Sequence, residues 1–334
     1  MRYLRGTWMR GGTSKCWLFD AADLAGGDPD AVLAAAFGAG DPRQLDGVGG
    51  ATSTTSKAAL VQRSATPGID VEYRFAQVGI GARRVEWGSN CGNCATAIGL
   101  YSLLTGLVPA RPGHTTVRMR NINTGTLLAA TVATPGGAVP ESGAAVVPGA
   151  SDGGVPVELA FLDPQGSTTG RLLPTGRAVD HLPVPATLVD AGAPAALVDA
   201  DELSVDELIA LRRKAAVLMG LSEQDDAIPK TGMVCPPRDD SHDLRIRMLS
   251  MLAPHPSVGL TSAVAIAAAA GVEGSVVHQA LGGEVPRVLR LGTPAGVVAV
   301  RAEWEDGVLR AVRLDRAARR IAVAEISVPL ALAS

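Results

Sequence analysis

Two residues of this 334-residue chain combine reactive side chains with surroundings that would tune them, Lys57 and Cys91. Lys57 closes the run Gly49-Gly50-Ala51-Thr52-Ser53-Thr54-Thr55-Ser56-Lys57. That run offers flexible backbone, several hydroxyl donors and one cation, a combination suited to holding an anion. It leads into apolar Ala58-Ala59-Leu60-Val61, where partial desolvation would lower an ammonium's pKa towards use as a base. Cys91 stands in Ser89-Asn90-Cys91-Gly92-Asn93-Cys94, where an Ala-rich helical segment begins and continues through Ala95 to Leu104. A thiol at a helix start is expected to have a lowered pKa, because the helix dipole favours the thiolate.

Neither motif fits the commoner readings. Ser56 precedes Lys57 where a P-loop needs glycine, and Ala58 follows it; Arg10-Gly11-Gly12-Thr13-Ser14-Lys15 fails the same test. Cys91 to Cys94 matches C-x-x-C, yet a zinc site needs a second close pair of ligands. Cys16, Cys235 and five scattered histidines do not supply one. A thioredoxin-like reading needs βαβ surroundings that the pattern lacks, and Cys94, one turn on, reads as packing.

The elements that must position these residues are mostly short strands between glycine turns: Val71 to Val78, Thr116 to Asn121, Leu127 to Val132, Leu244 to Met248 and Val297 to Trp304. Asp28 and Pro29 open a helix to Phe37, and Ser204 with Glu207 forms a capping box for a helix to Met219, ended by Gly220. Two further helices lack a charged face and should be buried all round: the one after Cys91, and one from Pro256-Ser257-Val258-Gly259-Leu260-Thr261-Ser262 through Ala270. Each is reached through small polar residues, half a chain apart. This predicts two similar halves, each wrapping strands around one central helix, with a crossing in the Gly/Pro/Ala/Ser stretch from Pro135 to Pro156. First-turn N–H groups of two such helices, facing each other across a cleft, would hold a di- or tricarboxylate.

Length suits two domains, and a core of Ala, Val and Leu must serve because aromatics are only 3% of the chain. A net charge of −3 argues against a nucleic-acid partner. The start Met1-Arg2-Tyr3-Leu4-Arg5-Gly6 is not signal-like, and the apolar stretch from Ser262 to Val272 is too short to span a bilayer. Four cysteines without framework spacing suit a reducing, cytoplasmic setting. A homodimer is the expected assembly.

Met9-Arg10-Gly11-Gly12-Thr13-Ser14-Lys15, the Gly49 to Lys57 run and Ser89 to Asn93 resemble signatures of the PrpF family of 2-methylaconitate, 3-methylitaconate and 4-oxalomesaconate isomerases. The resemblance continues through Asn121 to Gly125, Phe161 to Gly176 and the His255 to Ser262 turn, so it covers almost the whole chain. It implies a diaminopimelate-epimerase-like fold, α/β with two similar domains, each a mixed sheet around a central helix, and an active site in the cleft between them. The domains expected are 1–150 with 318–334, carrying Lys57 and Cys91, and 151–317. Cys16 stands where the first motif usually has glycine, and Gly292-Thr293-Pro294-Ala295-Gly296 replaces a more typical Gly-His-Pro-Ser-Gly.

The reaction so implied is a 1,3-proton shift in an alkene bearing carboxylates, with Lys57 and Cys91 as the proton-transfer residues. Candidate substrate contacts are Arg10, Thr13, Ser14, Ser53, Thr54, Asn90, Gly92 and Asn93, and in the second half Ser257, Gly259, Thr261 and Ser262. No metal or organic cofactor is expected. The rivals are an amino-acid racemase on the same fold and a non-catalytic carboxylate-binding relative. The racemase would use a cysteine at each helix start, and Gly259-Leu260-Thr261-Ser262 has none. A phenazine-pathway-type isomerase would want a carboxylate base, absent from both loops.

Overall fold

The structure is a computed structural model that describes residues 2–88 and 90–329; Met1, Ser89 of the helix-start motif and residues 330–334 lie outside the described residues. The chain forms two compact units, Met1–Leu159 with Arg316–Ser334, and Ala160–Asp315.

In the first unit β1 (Arg2–Gly11) and β2 (Ser14–Asp20) are followed by α1 (Pro29–Phe37), β3 (Lys57–Arg63), β4 (Val71–Val78), β5 (Val85–Glu86), α2 (Gly92–Leu104), β6 (Gly113–Asn121), β7 (Leu127–Thr134) and β8 (Val155–Leu162). The chain passes into the second unit within β8. There β9 (Asp180–His181), β10 (Pro185–Ala191) and β11 (Ala193–Asp199) precede α3 (Val205–Leu218), β12 (Lys230–Cys235), β13 (Leu244–Ser250) and β14 (Ala253–Pro254). Then come α4 (Leu260–Ala270), α5 (Val276–Ala280), β15 (Leu289–Thr293), β16 (Gly296–Glu305) and β17 (Val308–Val328), a 21-residue strand along which the chain returns to the first unit.

The two units share one pairing scheme. In the first, the β1–β2 hairpin is antiparallel, β2 runs parallel to β3, β3 antiparallel to β4, β4 parallel to β6 and β6 antiparallel to β7. In the second, β10–β11, β11–β12, β12–β13, β13–β15 and β15–β16 repeat that order of antiparallel, parallel, antiparallel, parallel and antiparallel pairs. Each sheet is therefore mixed, and each wraps a helix of the expected kind. β1, β2, β6 and β7 pack on α2, while β10, β11 and β16 pack on α4. Every residue of α2 except Asn93 and the terminal Leu104 is buried, and of α4 every residue except Thr261. Full burial of each large aliphatic side chain here, such as Ile98 or Leu100, contributes about 1.5–3 kcal/mol.

Small residues set the distance between helix and sheet. A Cβ on Gly99 would lie 2.2 Å from the Cβ of Ala130 on β7, so only glycine lets α2 settle there. Local signals hold at the helix starts. Asp28 Oδ1 accepts from the Asp30 N–H at 3.0 Å with Pro29 at the first position, and Ser204 with Glu207 makes the reciprocal capping box. Among the described residues no helix is long and apolar enough to cross a membrane.

Candidate active site

Lys57 is the first residue of β3, partly buried where that strand leaves the glycine/hydroxyl loop. Its Nζ donates to Gln77 Oε1 at 2.6 Å and lies 5.0 Å from the ring centroid of Phe75. Gln77 faces Lys57 across the β3–β4 ladder, and its other amide atom donates to the Ser56 carbonyl at 2.9 Å, which fixes which end meets the lysine. The loop itself is organised by Gln44, only 2% exposed. Gln44 Nε2 donates to Ser56 Oγ at 2.7 Å and to the Gly79 carbonyl, while Oε1 accepts from the Ala51 N–H at 2.8 Å. A Cβ on Gly49 would fall 2.2 Å from that Oε1, so the glycine is there to let the amide in. Ser53 and Thr54 are exposed, and Thr54 meets Thr52 through their hydroxyls at 3.1 Å. The backbone of Thr54 also accepts from Lys15, tying the loop to β2.

Cys91 is the N-cap of α2: its Sγ accepts from the Cys94 N–H at 3.4 Å. The expected lowering of its pKa is overturned. Hydrogen bonding to the Cys94 thiol and then burial push the Cys91 thiol well up, and the positive charge of Lys57 only partly opposes them. The dipole argument fails because hydrogen bonding with the Cys94 thiol favours the protonated form, and burial adds a penalty on the thiolate. Cys94 is itself pushed up, by burial first and then by hydrogen bonding with fully buried Cys16. The cysteine in place of the usual glycine thus extends a row of three thiols. None of the four cysteines is in a disulfide, and among the described residues no three of His, Cys, Asp and Glu gather as metal ligands.

The other sequence candidates of this unit gather around the same helix start. Asn93 Nδ2 donates to Thr13 Oγ1 at 3.0 Å and to Ser14 Oγ at 3.4 Å, bringing the tip of the β1–β2 hairpin onto α2. Gly11 and Gly12 make that approach possible: a Cβ on Gly11 would lie 2.0 Å from the Asn93 carbonyl oxygen, and Gly12 has φ +52°. Asn90 Oδ1 accepts from Tyr73 Oη at 2.9 Å and from Asn121 Nδ2 at 3.0 Å, leaving its own Nδ2 buried with no partner among the described residues. Buried Gly92 follows the cap. Arg10 spends its guanidinium on backbone, donating to the carbonyls of Gly12, Asp152 and Gly153 at 2.9–3.0 Å.

The arginine at Asn93 is one the sequence did not single out. Arg316 Nη2 donates to Asn93 Oδ1 at 3.0 Å from β17, 223 residues away in the chain. Gln44, Gln77 and Arg316 carry no local signal; only a marked motif partner could have pointed to them, and each reaches its partner through sheet pairing or loop closure.

The second unit's candidates cluster at the start of α4. Ser257 Oγ meets Thr293 Oγ1 at 3.2 Å, and Thr293 Oγ1 donates to the Gly296 carbonyl at 2.7 Å. Thr293, standing in place of the more typical histidine, is therefore a direct neighbour of a candidate site residue. The Ser257 N–H donates to His255 Nδ1 at 2.9 Å, and burial, with Lys230 nearby, lowers the imidazole's pKa. Gly259 is the N-cap of α4 and no side chain caps that helix; Ser262 is buried and Thr261 partly so.

The arrangement offers a lysine held by a glutamine, a protonated thiol under its field, and hydroxyl and amide donors about the same helix start. That is equipment for moving a proton on a bound anion. The PrpF protein family model matches residues 1–329. The chain is 35% identical to the (4E)-oxalomesaconate Delta-isomerase of Novosphingobium sp. (strain KA1), with 94% of each chain covered. It is 33% identical to the 2-methyl-aconitate isomerase of Shewanella oneidensis, covering 97% of this chain and 96% of that one. A crystal structure of methylitaconate-delta-isomerase matches with a TM-score of 0.88 at 31% identity, over 98% of this chain and 95% of that chain. With the fold, the motifs and these relatives in agreement over nearly every residue, the chain belongs to the PrpF family and, with it, to the isomerases.

Proposed function

We propose that this isomerase moves a proton between the allylic carbons of an unsaturated di- or tricarboxylate, with Lys57 as the base and Cys91 as the group that returns the proton. The supporting observation is the placement of Lys57 Nζ on Gln77 Oε1, near enough to the thiol that caps α2 for the two groups to interact. Neutral Lys57 takes a proton from the carbon next to the double bond. The dienolate spreads its charge into a carboxylate or oxo group, where hydroxyls of Thr13 and Ser14 and first-turn N–H groups of α2 stabilise it. Cys91, kept protonated by its surroundings, delivers a proton to the other allylic carbon; Lys57 then gives its proton up to solvent while the Cys91 thiolate takes one from solvent, which restores both groups. Substrates named for the relatives, oxalomesaconate, 2-methylaconitate and methylitaconate, all have the carboxylates and the allylic hydrogen that this scheme needs. Four cysteines free of disulfides fit a reducing compartment, and we place the protein in the cytoplasm.

The test is incubation with each of these acids in deuterated water. Deuterium should enter at an allylic carbon as the ultraviolet spectrum shifts, and Lys57→Met should abolish both. Substrate turnover by Lys57→Met at the wild-type rate would remove the base from this scheme.

A further inference from the structure

Arg316 is an unusual arginine. It is 6% exposed, and among the described residues its Nε is buried without a partner and its one hydrogen bond goes to a neutral amide, Asn93 Oδ1. Among the described residues no acidic side chain offsets its charge, and the charged group that acts on it is Arg10, another cation. Burial and then Arg10 lower its pKa to about 10, which still leaves it charged at neutral pH. An uncompensated buried guanidinium is costly, and fixing a peptide segment does not need one, since a neutral donor would serve.

Its surroundings are built around it. Asn93 gives its Nδ2 to Thr13 and Ser14, so Oδ1 is the end turned to Arg316. A Cβ on Gly12 would fall 2.1 Å from Asn93 Oδ1 and 2.5 Å from Arg316 Nη2, so only glycine allows the hairpin to lie over the pair. Two residues before Asn93 is Cys91. Within this one unit, then, a buried cation and two hydroxyls meet on Asn93, in the first turn of the helix that the thiol assigned to proton return caps.

From this geometry we infer that Arg316 binds a carboxylate of the substrate, with Asn93 as its positioning residue. The inference rests on the isomerase reading above and adds to it the group that orients the acid. Guanidinium is suited to the task because its planar fork matches a carboxylate's two oxygens. The carboxylate supplies the counter-charge that the protein withholds.

Two variants test it, with tricarballylate, a saturated tricarboxylate that cannot isomerise, as the calorimetric probe. Arg316→Met should weaken tricarballylate binding by tenfold to a hundredfold and raise KM by a similar factor. Asn93→Asp keeps the shape but puts a carboxylate 3.0 Å from Nη2, neutralising the arginine internally. It should keep or raise the melting temperature and still weaken tricarballylate binding at least tenfold. A purely structural brace would be strengthened by Asn93→Asp and would leave binding untouched, so wild-type affinity in a folded Asn93→Asp protein overturns the assignment even where Arg316→Met fails to fold. Wild-type affinity and KM in a folded Arg316→Met protein overturn it as well. If instead wild type exchanges no allylic hydrogen of any of the acids while tricarballylate binding still depends on Arg316, the isomerase reading falls and the carboxylate site stands.

Discussion

Cys91 shows what one residue's sequence context can and cannot reveal. Its place at a helix start was legible from the small polar residues before an Ala-rich run, and the structure makes it the N-cap of α2. The direction of its pKa was not legible, because the deciding causes are hydrogen bonding with the Cys94 thiol and then burial, which only the folded chain sets. A raised pKa means that the fold prefers the protonated thiol. Above the free thiol's value of about 8.5, the unfolded chain loses that proton first, so stability is expected to fall as pH rises from there. Iodoacetamide should therefore label Cys91 slowly at pH 7 and faster only above about pH 9, and a labelling rate at pH 7 equal to that of a low-pKa thiol would contradict the burial argument. Cys91→Ser keeps an N-cap oxygen and should leave the melting temperature near wild type while lowering kcat by about 10²–10⁴. Equal kcat would make Cys91 a structural cap alone.

At the scale of elements, the loop before β3 was recognisable as an anion-type loop, but not what holds it still. Gln44 lies upstream with φ +50°, in a turn that no motif marks, and its amide bridges Ala51, Ser56 and Gly79. Gln77 reaches Lys57 only through the register of β3 on β4, which neither segment states alone. Gln44→Ala leaves a buried hydroxyl, an N–H and a carbonyl without this partner and should cost about 1–3 kcal/mol in denaturant unfolding. Gln77→Leu removes a partner of the lysine rather than of the fold. We expect kcat to drop about tenfold to a hundredfold with KM changed far less, since the lysine would lose its aim but the carboxylate donors would remain. A large rise in KM with kcat intact would instead make Gln77 a substrate contact.

For the whole chain, two buried Ala-rich helices were enough to forecast a duplicated fold, because a helix without a polar face has to be wrapped. The long β17 was not forecast: its 21 residues alternate too irregularly, and its pairing with β1 joins residues some 300 positions apart. The repeated pairing scheme has a consequence for the chemistry. Lys57 starts β3 beside the third residue of β2, one position before the Trp17–Ala58 pair, while Lys230 starts β12 opposite Ala195, the third residue of β11. The two lysines thus hold equivalent places in the two units, and each acts electrically on a group just ahead of its unit's central helix, Cys91 in one and His255 in the other. What differs is the partner set. Lys57 has a glutamine and a thiol; among the described residues Lys230 has neither, and burial with Arg212 beside it lowers its pKa. If position in the fold alone made the base, both lysines would be required for proton removal. If the thiol and the glutamine make it, only Lys57 is. We expect Lys57→Met to cut deuterium incorporation by 10³ or more, and Lys230→Met to retain at least about a tenth of it at saturating substrate, because general-base loss removes a reaction step and Lys230 lacks the glutamine and thiol that equip Lys57 for one. A Lys230→Met enzyme as inactive as Lys57→Met at saturation would show that the duplication extends to the chemistry.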